Sequence, residues 1–232
     1  MDLKTALKKL QQLADPAIIS NKEQRFGIVA NNAIGVYQKD IKLLAREIGI
    51  DSTLAELCFD SGIYEAKILC SKIHAPNALT KTKMNQWVRN FENWEICDSF
   101  CMGLFAKNKH ALALADDWTT RKHEFTKRAG FVIMACYGFN HKNAPNSIFK
   151  KFFPVMIREA KDERVYVRKA INWALRQVGK RNPDLQAQAI TVANKILKID
   201  HPSAQWIAKD ALRELNKPNV SILNYPRTIY SA

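Results

Sequence analysis

The sequence predicts an all-α protein built as a train of helices joined by short turns, and three observations carry that expectation. Apolar residues recur at three- and four-residue steps almost throughout, runs of alternating β-branched residues bounded by turn dipeptides are absent, and helix-capping residues punctuate the chain. In order, the periodicity places helices near 2–14, 38–49, 52–60, 63–74, 82–90, 94–106, 108–117, 121–138, 146–161, 164–180, 184–199 and 203–215. Asp51 and the Ser61-Gly62 pair open two of them, Thr80 caps the next, and Asn93 caps the helix that begins with Trp94. Pro145, Pro183 and Pro202 fall near helix starts, where a missing amide donor costs nothing. Gly179, Asn182 and the 216–218 stretch close others.

A dozen helices on short connections make either a bundle or an α-solenoid. The segment 162–170 decides between them. Its acidic turn at Asp162, followed by Val165, Val167, Arg168 and Ala170, resembles the second half of a HEAT repeat, and the surrounding helix pairs recur about every forty residues. The expected fold is therefore a right-handed α-solenoid of HEAT-like repeats with a concave basic groove. With 232 residues and 26.5 kDa there is room for one such domain, read over 1–217, and a C-terminal tail over 218–232.

Charge is the first functional clue. The formal net charge is +14 and the isoelectric point is near 9.6, and that much uncompensated positive charge opposes compaction unless a polyanion neutralises it. Nucleic acid fits that requirement better than a membrane surface. Cys58, Cys70, Cys97, Cys101 and Cys136 form no CxxC pair and sit within apolar helical patterns, which points to buried reduced thiols and a cytoplasmic location. Residues 1–13 alternate Lys with Leu and lack the long apolar run of a signal peptide or membrane span.

Three side-chain groups stand out against the helical background. On the helix around Trp173, the residues Val167, Ala170, Ile171, Ala174, Leu175 and Val178 share one face and form its core side. Tyr166, Lys169, Trp173, Arg176, Gln177 and Lys180 fall together on another, a basic and aromatic stripe. Trp173 either packs on a neighbouring helix or meets nucleic acid there, since aromatic planes stack on bases and sugars while cations meet phosphates. Asp98 lies one turn after Trp94, on a side shared with Cys101, Met102 and Phe105, so a carboxylate borders apolar surface. Arg128, flanked by Phe125, Phe131, Val132 and Ala135, can pair with Asp98 or hold a phosphate, for which its fork of donors is suited.

Trp94-Glu-Ile-Cys-Asp98, the Lys-Arg128-Ala129 segment and Ala170-Ile-Asn-Trp173-Ala-Leu-Arg176, in that order, resemble the active-site segments of the AlkD-like alkylpurine DNA glycosylases. Ile34-Gly35-Val36 and the 60–67 stretch resemble family segments outside the site. The resemblance spans roughly residues 25 to 215. It implies that Trp94 and Trp173 flank the deoxyribose of a lesion, that Asp98 is catalytic, and that Arg128 holds backbone phosphate. It further implies positively charged substrates such as N3-methyladenine and N7-methylguanine in double-stranded DNA, released without flipping the base, in base excision repair. The chemistry suits this sparse equipment. A cationic purine leaves as a neutral base and needs no general acid, so one carboxylate suffices where ordinary glycosidases use two.

The chain is thus expected to be a monofunctional DNA-alkylpurine glycosylase that works as a monomer, with catalytic residues Asp98, Trp94 and Trp173 and DNA contacts at Arg128, Tyr166, Lys169, Arg176 and Lys180. No cofactor is expected. No P-loop, Rossmann glycine pattern or HExxH helix occurs, and Cys97 with Cys101 lacks a second pair, so no metal is expected. Lys150, Lys151 and the 216–227 tail either extend the phosphate footprint or form a solvated face. A non-catalytic HEAT-like module binding DNA or RNA is the alternative, and a protein scaffold the third reading.

Overall fold

The computed structural model describes residues 1–230, so the last two residues of the expected tail lie outside the described part. Helices account for nearly all regular structure, and the chain forms two compact units, Met1–Lys109 and His110–Ala232.

The first unit holds α1 (Leu3–Gln12), α2 (Pro16–Phe26), α3 (Gln38–Ile48), α4 (Ser52–Asp60), α5 (Tyr64–Ile73), α6 (Lys81–Val88) and α7 (Trp94–Gly103), with short 3-10 turns at Pro76–Ala78 and Phe105–Lys107. Eight of the ten residues of α5 are buried, because the helix packs against α3, α4 and α7. Phe59, Trp87, Phe91, Phe100 and Phe105 fill the adjoining core, their ring centroids 4.8 Å apart at the Phe59–Trp87 stack and 6.0 Å at Phe91–Phe105. Cys58, Cys70, Cys97 and Cys101 are buried free thiols, and burial pushes the Cys58 thiol up to about 11.

Helix α2 is absent from the expected elements. Ile18 is its one buried residue, so there is no apolar stripe to betray it. It is defined by its ends: the Asp15 carboxylate accepts from the Ala17 amide at 2.8 Å, Pro16 opens the first turn, and Gly27 closes it in the left-handed region at φ 61°. Helix α7 stops at Gly103, three residues before its expected end. Leu104 leaves helical geometry with φ −132° and ψ −60°, and the chain passes into the 3-10 turn.

Two segments that read as unrelated family landmarks meet in this unit. The Glu65 carboxylate, 1% exposed, accepts from the backbone amides of Ile34 (3.0 Å), Gly35 (2.9 Å) and Val36 (3.2 Å). Gly35 is required there: its φ is 83°, and a Cβ would lie 2.0 Å from the Asp15 carbonyl oxygen.

The second unit holds α8 (Ala111–Thr119), α9 (Glu124–Asn140), α10 (Asn146–Lys150), α11 (Phe152–Arg158), α12 (Val165–Gly179), α13 (Pro183–Leu197) and α14 (Pro202–Leu215). Helix α9 is buried on every side from Phe125 to Cys136, between α8 and α12. A Cβ at Gly130 would meet the Ala115 carbonyl oxygen at 2.6 Å, so the glycine sets the α8–α9 approach. The single helix expected over 146–161 is broken at Lys151. Pro154 explains the break, since it has no amide to donate to the Lys150 carbonyl and its ring crowds that group. Asn182 opens α13 rather than closing α12: its Oδ1 accepts from the Leu185 amide at 3.0 Å.

The tail folds onto this unit. The amides of Leu223 and Tyr225 donate to the carbonyls of Lys180 (2.8 Å) and Arg181 (3.0 Å), and Asn182 Nδ2 donates to the Tyr225 carbonyl (2.7 Å). Arg181, 2% exposed, donates to the carbonyls of Gly138, His141, Lys142 and Ala144 and stacks on Phe149 at 4.1 Å. A cation thus gathers the carbonyls that end α9. Among the described residues, no helix is long and apolar enough to cross a membrane.

Candidate functional site

Helix α7 presents Trp94, Asp98 and Met102 at four-residue spacing along one side, while Glu95, Ile96, Cys97, Phe100 and Cys101 turn inward. Trp94 and Asp98 are half-buried and Met102 is exposed. The expected neighbours of Asp98 therefore need correction: Cys101 is wholly buried, and Phe105 lies beyond the helix end in the 3-10 turn.

Behind this strip sits a buried polar network that fixes the first turn of α7. Asn93 caps the helix, its Oδ1 accepting from the Ile96 amide (3.1 Å) and the Tyr64 hydroxyl (2.9 Å) while its Nδ2 donates to the Val29 carbonyl (2.9 Å). Glu95 Oε2 accepts from the same Tyr64 hydroxyl (2.9 Å) and from Lys22 Nζ (2.9 Å). Burial and the adjacent Glu95 carboxylate push the Tyr64 phenol far above its ordinary range, so it remains a proton donor. The indole of Trp94 donates to the Phe26 carbonyl at the end of α2, at 3.0 Å. Helix α2 thus anchors the first turn of α7 at two points, through Lys22 to Glu95 and through the Phe26 carbonyl to Trp94, beside the contribution of Tyr64 from α5.

In the second unit, every residue expected on the core side of α12 is buried, and none of Tyr166, Lys169, Trp173, Arg176, Gln177 and Lys180 is. Arg128 on α9, 7% exposed, donates from Nη1 to the Tyr166 carbonyl (2.7 Å), and the Tyr166 ring lies 5.6 Å from that of Phe125. One arm of the guanidinium is thereby committed to the start of α12. Two cations of the stripe are committed as well. Arg176 and Lys180 both pair with Glu214 on α14, Lys180 at 2.5 Å, and Asp210 lies 3.8 Å from Arg176 Nε. Burial alone would raise the Glu214 carboxyl, but the hydrogen bonds from Lys180 and Arg176 outweigh it and hold the group below its ordinary value. Lys169 remains exposed.

The acidic turn that suggested a HEAT repeat has its own clamp. Lys127, 8% exposed, pairs with Glu159 (2.5 Å) and Asp162 (2.9 Å), while Arg164 binds Asp162 and donates to the Lys122 carbonyl. Burial would raise the Asp162 carboxyl, yet Arg164 and Lys127 overcome that and bring it down to about 2.

Within its own unit, then, α7 joins Trp94 to Asp98, and in the other unit α9 and α12 join Arg128, Tyr166, Trp173 and the cationic stripe. Sequence reasoning missed the supports: Lys22, Tyr64, Asn93 as more than a cap, Glu95, Asp210 and Glu214. Glu95 left one signal, an acid on the inward side of an apolar helix, but its partners lie 31 and 73 positions away.

A family model described as "DNA alkylation repair enzyme" matches residues 6–215. Among solved structures, a protein described as belonging to a new family related to the HEAT-like repeat DNA glycosylases, with affinity for branched DNA structures, superimposes with a TM-score of 0.71 at 20% identity, over 92% of this chain and 95% of that one. AlkD2 from Streptococcus mutans gives 0.57 at 18% identity, over 86% and 98% of the two chains. The protein smu.31 from Streptococcus mutans UA159 gives 0.54 at 18% identity, over 90% and 98%. At these identities the likeness establishes the fold, a HEAT-like helical-repeat architecture. Among curated proteins, none matches the sequence.

Proposed function

Because the chain belongs to the DNA alkylation repair enzyme family, we propose that it is a monofunctional glycosylase hydrolysing the N-glycosidic bond of positively charged alkylpurines in duplex DNA. The observation that carries this reading is the half-buried Trp94–Asp98 strip, one helical turn long, braced from behind by Glu95, Tyr64, Asn93 and Lys22. A binding surface has no need of a carboxylate turned towards a polyanion; a reaction that develops positive charge on a sugar does.

As the bond to an N3-methyladenine or N7-methylguanine breaks, the base takes the bonding electrons and departs neutral, leaving an oxocarbenium-like sugar. Asp98 stabilises that cation and orients the attacking water, and the face of Trp94 favours the same charge; for Trp173 the same part is carried by the family resemblance alone. No protonation of the leaving group is required, so the base need not enter a pocket that supplies an acid. Arg128, Tyr166 and Lys169 hold the DNA backbone, while Arg176 and Lys180, which share Glu214, contribute less. The enzyme acts in the cytoplasm as a monomer.

The test is release of free alkylpurine from methylated DNA. Asp98→Asn is expected to lower the single-turnover rate by about 10²-fold or more, roughly 3 kcal/mol of transition-state stabilisation, while affinity for undamaged duplex stays within about twofold. Equal rates would remove Asp98 from the mechanism. Binding without any release would favour the second reading, a non-catalytic DNA-binding module, for which the branched-DNA affinity described for one structural neighbour is the specific support.

A further inference from the structure

The family-matched region ends at residue 215, and the segment after it builds something of its own. Residues 223–225 are stitched to the 180–182 turn by two backbone hydrogen bonds and the Asn182 side chain, which fixes Tyr225 against the second unit. Three cations surround its half-buried ring: Lys142 Nζ lies 5.5 Å from the centroid, the Arg227 guanidinium 5.4 Å and that of Arg181 5.8 Å.

These cations differ in how they are compensated. Arg181 is enclosed by four carbonyl oxygens, which take up its Nη1 and Nη2 donors. Lys142 and Arg227 are exposed, and among the described residues neither cationic head makes a hydrogen bond or ion pair; the Tyr225 hydroxyl likewise has no hydrogen-bond partner there. Attraction to one ring holds like charges together that would otherwise separate, and each such contact is a modest gain in water. Two exposed cationic heads and a phenolic hydroxyl are thus gathered about one ring. The unit that carries them has 21 Lys and Arg against 10 Asp and Glu, and that excess of cations favours an arriving anion.

We propose that Lys142, Arg227 and the Tyr225 hydroxyl form a contact for a DNA backbone phosphate, completed by Tyr225 and Arg227 from the segment beyond the family-matched residues. It rests on the reading that DNA is the partner but not on catalysis. The contact would add grip on DNA through charge and a phenolic donor that reads no base, so it strengthens binding to any sequence.

Undamaged duplex DNA, followed by fluorescence anisotropy over a salt series, tests this without requiring base release. The double variant Lys142→Gln/Arg227→Gln, with both positions exposed, is expected to keep the wild-type melting temperature, weaken binding about tenfold at low salt, and reduce the slope of log K against log salt by about 1 to 2. Tyr225→Phe, which keeps the ring and both cations, is expected to weaken binding two- to threefold. A double variant with wild-type affinity and slope overturns the proposal. So does a result in which inorganic phosphate stabilises the wild type but not the double variant while DNA affinity is equal, since the site would then take a free anion. If the wild type fails to bind DNA at all, both this contact and the DNA reading fall, whereas alkylpurine release with an unaltered double variant sinks this contact alone.

Discussion

The two units of the chain solve different electrostatic problems. The first carries 15 Lys and Arg against 12 Asp and Glu, a net of +3, and its candidate site is held by carboxylates placed inside: Glu95 under α7 and Glu65 under the 34–36 loop. The second carries 21 against 10, a net of +11, and its carboxylates stand between cations, Asp162 and Glu159 around Lys127, and Glu214 and Asp210 beside Arg176. The difference separates two tasks that are hard to combine. A carboxylate that stabilises positive charge on a sugar works best where surrounding cations do not neutralise it, whereas attraction of a polyanion needs cations in excess. In the proposed reaction the carboxylate, Asp98, belongs to the unit of lower net charge, and the excess of cations proposed to attract DNA belongs to the other half of the sequence.

This contrast is open to attack at four points, beginning with the largest effect. Glu65→Ala leaves two buried amides and a part-buried one in the first unit without an acceptor, and it is expected to cost about 3–5 kcal/mol in a urea titration. A loss under about 1 kcal/mol would mean that the loop is held by something other than the buried acid.

In the second unit, Asp162 supplies the matching test by pH. Its folded pKa, about 2, lies below the ordinary 3.8, so the unfolded chain takes up the proton first and the contribution is complete above pH 4 and lost as pH falls towards 2. Asp162→Asn is expected to remove about 2 kcal/mol at pH 7 and to flatten that acid limb. An unchanged acid limb would show that the Lys127–Asp162–Arg164 cluster is not what clamps α12.

Glu214→Gln frees Arg176 and Lys180 from their shared carboxylate. Affinity for undamaged DNA at low salt is expected to rise about threefold, with a stability loss of roughly 1 kcal/mol or less for these partly solvated pairs. Unaltered or weaker DNA binding would place the stripe outside the contact.

The smallest effect falls on Lys72 in the first unit, where burial, reinforced by Lys42, brings the ammonium down to about 8. The folded state disfavours its charge, so a penalty is present below pH 8 and is relieved as pH rises towards the ordinary 10.5. Lys72→Met is therefore expected to raise the melting temperature by a few degrees at pH 7 and by less at pH 10. A lower melting temperature at pH 7 would show that the ammonium is compensated after all.

Repetition and local chemistry explain what was legible in the sequence. Helix existence follows from apolar spacing, and caps such as Asp51, Thr80 and Asn93 were readable because a cap and its amide lie within three residues of each other. The Trp94–Asp98 pairing was legible for the same reason, since four residues on a helix make one face. Where the signal was not apolar spacing the reading failed: α2 is written in its ends, and the α10–α11 break in one proline.

By itself, then, the sequence determined the helical class, the order of nearly all helices, the buried thiols, the faces of α12 and the family, because each depends on neighbours a few positions apart or on a pattern shared along the whole chain. Only the tertiary structure decided that Glu65 gathers the 34–36 amides, that Lys22 and Tyr64 converge on Glu95, that Glu214 occupies two cations of the stripe, and that the tail returns to set Tyr225 among Lys142, Arg181 and Arg227. Apart from Arg227, which is two positions from Tyr225, these contacts join residues 29 to 83 positions apart, and a buried polar group finds its partner by the packing of whole helices, which no local pattern specifies.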